Sequence, residues 1–149
     1  MNEYIYSQPV HKDFQILMSF LIKYLRENHG EESLEIFFKE ASKYIYEPLI
    51  KRIKKNGLAE MREHLKRNFS NENGKFNLEY KNNKIIFKVK KCPAIWYMKN
   101  NGIKIDSFFC KTSTEIVNKA IAKECGYNFS VEYDQDNGKC VQKFWKEDK

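Results

Sequence analysis

The chain has 149 residues, a formal net charge of +7, 42% hydrophobic and 15% aromatic residues; that is enough to bury a core without disulfide staples and excludes a disordered polyelectrolyte. No apolar run reaches the ~20 residues of a membrane-spanning helix, and the stretch MNEYIYSQPVHKDF lacks the basic-then-apolar order of a secretory leader. The expectation is a single cytoplasmic α+β domain, 1–149, whose four cysteines (Cys92, Cys110, Cys125 and Cys140) are reduced.

Residues 1–70 read as helical. Phe14, Leu17, Met18, Leu21, Ile22 and Leu25 recur at helical spacing, and Asn28-His29-Gly30 supplies a C-terminal stop. Leu34, Phe37, Phe38, Ala41 and Ile45 form a second stripe, with Ser33 as its expected N-cap. Pro48 should kink or split that helix, Gly57 should end it, and Leu58, Met61 and Leu65 suggest a third, short one. The cluster KRIKKNG at 51–57 falls at a helix C-terminus, where cations complement the dipole. The remaining basic residues are mostly scattered lysines. Arg26, Arg52, Arg62 and Arg67 are the four arginines, so a nucleic-acid partner, which would favour the arginine fork, is not expected.

After the polar loop SNENGK the period changes to 2, and residues 75–146 read as β-β-α-α-β-β. With Asn82-Asn83 as a two-residue turn, Tyr80 faces Ile85, Leu78 faces Phe87 and Phe76 faces Val89, all on one side. Cys92 then precedes Pro93, so it should be the N-cap of a helix that Asn101-Gly102 closes. Thr112 and Glu115 fit a capping box for the next helix, which Gly126 ends. In the second hairpin an Asn137-Gly138 turn would set Val131 opposite Phe144 and Tyr133 opposite Gln142, with Cys140 facing the core. The two hairpins flank two helices. Together they predict a four-stranded antiparallel sheet with helices on its apolar face.

Chemistry, if present, belongs to the thiols. Cys92 at one helix start and Cys110 just before the next cap sit where a helix dipole favours thiolate, and Lys88, Lys90 and Lys91 would add to that field. Cys140 comes in from the last strand. Cys125, at a helix C-terminus, has the opposite dipole and reads as structural. Inert burial as a small hydrophobe is the competing reading for each thiol. A Cys-His pair would need His64 or His11 to fold back from the helical half. No close CxxC or HxxxH pair is present, so a zinc site would have to be assembled from separate elements. No phosphate-binding glycine loop and no GxSxG occurs.

Residues 85–145 as a set resemble the L-2-amino-thiazoline-4-carboxylic acid hydrolase family. The matching features are a strand leading into Cys92-Pro93, Phe109-Cys110 before a helix, and a last hairpin ending GKCVQKF at 138–144. The layout is also similar to 4-vinyl reductase-type small-molecule-binding domains. The first resemblance implies hydrolytic opening of a C–N bond in a small cyclic amidine-like ring, with Cys92, Cys110 and Cys140 as the catalytic set. The second implies a non-catalytic module that binds a small molecule or zinc.

Overall fold

The computed structural model describes residues 12–147. The helical half opens with α1 (Lys12–Ile45), which breaks at Gly30, where φ is 86° and ψ is 167°. A residue with a Cβ is strained there, so the Asn28-His29-Gly30 stop acts as expected, but a second helical segment restarts at once. Ser33 therefore lies inside the first turn of that segment rather than capping it. The helix splits again at Tyr46: α2 (Glu47–Asn56) has Pro48 in its first turn, where the missing N–H costs nothing, and Gly57 closes it at φ 88°. The third helix, α3 (Ala59–Asn71), is longer than its three apolar residues suggest.

The apolar stripes of α1 only partly turn inward. Ile22, Leu34 and Phe38 are buried, with Met18, Leu21 and Leu25 packed beside them. Phe14, Leu17, Phe37 and Ile45, assigned to the same stripes by periodicity, are exposed. Their inward places are taken in part by Ser19 and Ser42. Both hydroxyls are satisfied: Ser19 Oγ accepts the Asp106 N–H at 3.2 Å and Ser42 Oγ donates to the Phe38 carbonyl at 2.5 Å.

The sheet consists of β1 (Lys75–Lys81), β2 (Lys84–Lys91), β3 (Asn128–Asp134) and β4 (Lys139–Trp145), all antiparallel, in the spatial order β1-β2-β4-β3. The first hairpin has the expected register, Tyr80↔Ile85, Leu78↔Phe87 and Phe76↔Val89. Asn82 and Asn83 both take positive φ, 51° and 54°, the geometry that matches strand twist in a two-residue turn.

The second hairpin is shifted by two residues from its expected register. Phe129 pairs with Phe144, Val131 with Gln142 and Tyr133 with Cys140, around a four-residue loop, 135–138. The Asp134 carboxylate accepts from Asn137 N and Nδ2 at 3.2 and 2.7 Å, which holds Asn137 within the loop and ends the ladder at Asp134↔Lys139. A shift of two leaves every side chain on its expected face.

The buried face of the sheet carries Ile85, Phe87, Val89, Gln142 and Phe144. Three helical pieces lie among these elements: α4 (Pro93–Asn100), a π-helical segment Lys111–Ile116, and α5 (Val117–Glu124) continuing from it. The helices α3 and α5 pack against β1 and β3 respectively, and the first helix packs on the 111–124 segment. None of the helices among the described residues is long and apolar enough to cross a membrane.

Candidate thiol site

The order β1-β2-β4-β3 makes the two hairpins neighbours through β2 and β4. This pairing sets Val89 beside Cys140, and Tyr133 lies on the other side of Cys140, so Val89, Cys140 and Tyr133 form one row across the sheet. Cys92 follows three residues beyond Val89, and its N–H donates to the Gly138 carbonyl at 2.8 Å. Cys92 is the N-cap of α4, with φ −72° and ψ 120°, and Pro93 opens the helix as expected.

Cys110 departs from its expected place. The helix starts earlier than a Thr112 cap would allow, and Cys110 lies within its first turn at φ −67° and ψ −38°. Asp106 holds that start instead: its carboxylate accepts the Phe108 N–H at 3.0 Å and its carbonyl accepts the Phe109 N–H at 3.0 Å. The side chain of Gln135 completes the cap by accepting the Cys110 N–H at 2.9 Å and donating Nε2 to the Asp106 carbonyl at 2.9 Å. Arg26 pairs with Asp106 at 2.5 Å and lies over the Phe108 ring. Because Asp106 does the capping, the Thr112–Glu115 capping box does not form, and Thr112 is fully buried with its hydroxyl unpartnered. It sits in the π-helical segment, a wide turn that recurs at functional sites.

The three thiols act on one another. Cys110 feels both Cys92 and Cys140, and Cys140 feels Cys92. Each is nevertheless pushed toward the protonated form, which for Cys92 and Cys110 reverses the expected activation. Burial dominates in every case, raising Cys110 to about 12 and Cys140 to about 11. Burial also raises Cys92. The amides of Ile95 and Ala94 oppose this without closing a capping hydrogen bond to its sulfur, and Glu72 adds to the rise. None of the three lysines expected to favour a thiolate is among the charges acting on Cys92. Lys91 Nζ lies 4.3 Å from the Trp96 ring centre, and Lys88 is on the exposed face of its strand.

Several polar groups at this end escaped the sequence reading. Gln142 is buried; its Nε2 donates to Cys140 Sγ at 3.5 Å and its Oε1 accepts from Asn118 Nδ2 at 2.9 Å. The visible signal was a glutamine at an inward strand position. The Tyr133 phenol is raised by burial and then by Glu115 and Cys110. Glu72 comes from the loop after α3, where Gly74 lies so close to Pro93 that an added Cβ would be 3.2 Å from its ring. Half-burial raises the Glu72 carboxyl. Nothing local in SNENGK foretells this contact.

Other candidates lie apart. Cys125 Sγ donates to the Ile50 carbonyl at 3.9 Å, a packing role. His64 stands edge-on to Tyr46 with ring centres 5.8 Å apart, and His11 lies outside the described residues. Among the described residues no three His, Cys, Asp or Glu side chains are grouped so as to hold a metal ion. A concavity of about 500 Å³ lined by Glu79, Lys84, Ile86 and Trp145 is at the Asn82-Asn83 end, away from the thiols. Comparison with protein-family models, with curated proteins and with solved structures gives no match.

Proposed function

We propose that this chain is a hydrolase of the L-2-amino-thiazoline-4-carboxylic acid hydrolase type, opening a C–N bond in a small cyclic amidine-like substrate. The observation that carries the reading is the convergence of Cys92, Cys110 and Cys140 from three separate elements at one end of the sheet. Cys92 is the attacking sulfur in this scheme. Of the three thiols it is the one with two amides of a helix start and a carboxyl, Glu72, acting on it.

Because the thiol is protonated at rest, its proton has to leave as the sulfur–carbon bond forms. The amidine is itself a base and takes that proton on its ring nitrogen. The ring C–N bond then breaks, leaving a ring-opened thioimidate on Cys92. Water adds to the same carbon, with Glu72 accepting its proton, and the Cys92 sulfur departs as the thiol, taking that proton back from Glu72. Cys110 and Cys140 line the site as neutral S–H groups. Lys111, beside Cys110 in sequence with its Nζ 5.0 Å from the Phe108 ring centre, is the cation offered to a substrate carboxylate.

The test is incubation of the purified chain with 2-amino-thiazoline-4-carboxylate, followed by mass spectrometry. The expected result is a ring-opened carbamoyl-cysteine whose formation stops in Cys92→Ser. An unchanged ring at every pH tried would end the proposal. A second reading, a non-catalytic small-molecule-binding module of the 4-vinyl reductase-like type, is favoured by one observation: all three thiols are held protonated by burial. It predicts heat of binding in a calorimeter with no product and with affinity unaltered in Cys92→Ser.

A further inference from the structure

The first half of α1 has two apolar faces. One is the core face, with Ile22 buried. On the far side, Leu17, Phe20 and Tyr24 are 62%, 64% and 48% exposed. With Asp13 before them and Glu27 after, these residues follow a 4-3-4-3 spacing, which draws a straight seam along one side of a helix, the pattern by which helices pair. Phe20 and Tyr24 already stack on each other along this seam, with ring centres 6.5 Å apart and planes at 20°. Single exposed apolar residues are ordinary, but three in one helical line are not.

Charge decides what fits. Two copies paired in parallel would bring Asp13 against Asp13 and Glu27 against Glu27. An antiparallel pair centred on Phe20 would oppose Asp13 to Glu27. Moving the centre to midway between Leu17 and Phe20 removes both clashes. Leu17 then meets the partner's Phe20, and Asp13 meets the partner's Tyr24 with the partner's Lys23 beside it. Both Asp13 and Lys23 are exposed. The same contacts recur by two-fold symmetry, as a closed dimer requires.

We propose that two copies of this chain associate through an antiparallel pairing of the first half of α1, along the seam Leu17, Phe20 and Tyr24, with Asp13 and Lys23 fixing the register. The thiol site is on other elements, so the pairing stands or falls independently of the proposed hydrolysis.

The test is sedimentation of the full chain across the micromolar range. The expected result is a mass that rises from one chain to two with concentration. Leu17→Glu combined with Phe20→Glu weakens association at least about tenfold, and far-UV circular dichroism stays unchanged because both side chains are exposed. Asp13→Lys also weakens it, and Lys23→Asp added to that variant restores it. A single-chain mass at every concentration overturns the proposal, as does a dimer that survives the double glutamate variant. Tighter association in Asp13→Asn would overturn the antiparallel register, because a neutral side chain there relieves the like charge of a parallel pair but removes the attraction to Lys23 in the antiparallel one.

Discussion

Cys110 and Cys140 are raised to about 12 and about 11 from an ordinary thiol value of 9.0. Reaction with iodoacetamide near neutral pH should therefore be about a hundredfold slower at Cys140 than at an ordinary thiol, and should climb about tenfold per pH unit. Fast alkylation of the folded protein at neutral pH would contradict the burial argument. The same shifts set a stability term of known sign. The fold favours protonated thiols, so their contribution is complete below pH 9 and is lost as the pH rises through 11 and 12. Melting temperatures measured along that range should fall more steeply in the native chain than in Cys140→Ala. Thr112 makes the opposite kind of prediction. Its buried hydroxyl has no partner, so Thr112→Val should raise stability by about 1 kcal/mol in chemical denaturation. The reason the thiol activation was misjudged from sequence is visible at this scale. Dipole and lysine proximity can be read along a chain, but the depth of burial that outweighs them depends on which strand lies alongside.

Gly138 ties the second hairpin to the thiol site. It takes φ 62°, its carbonyl accepts the Cys92 N–H, and a Cβ there would lie 3.2 Å from Ile95 Cγ2. Gly138→Ala should cost about 2 kcal/mol from the left-handed backbone and the crowding together, measured by denaturant unfolding. In α3, burial lowers His64 to about 4, with Arg67 and Arg52 adding to the effect. A histidine held neutral contributes stability that is complete above its unfolded value of 6.5 and is lost as pH falls through about 4. Acid unfolding of His64→Gln should show a shallower slope across that interval, and an unchanged slope would rule His64 out as its source. Elements were legible where turn chemistry left one solution. Asn82-Asn83 allowed a single register, whereas Asn137-Gly138 looked like a two-residue turn until the Asp134 carboxylate held it in a longer loop. The Thr112–Glu115 box failed for a similar reason. Asp106, anchored by Arg26 and Gln135 from distant parts of the chain, took the capping role first.

For the molecule as a whole, the sheet order β1-β2-β4-β3 is what brings the thiols together. The strands could be read from periodicity, but the pairing of β2 with β4 across some fifty residues of chain could not. Glu72 joins the site for the same non-local reason. That order also has a consequence for biosynthesis. The fourth strand to be made is an interior strand, with β2 on one side and β3 on the other. While a ribosome is still adding residues 139–145, the inner edge of β2 has no neighbour, the Cys92 amide has no stable hairpin carbonyl to meet, and the thiols made earlier are not yet sealed by Cys140 and Gln142. Nascent chains arrested before residue 139 should therefore react readily with thiol reagents at Cys92 and Cys110, and that reactivity should vanish once β4 has emerged and inserted.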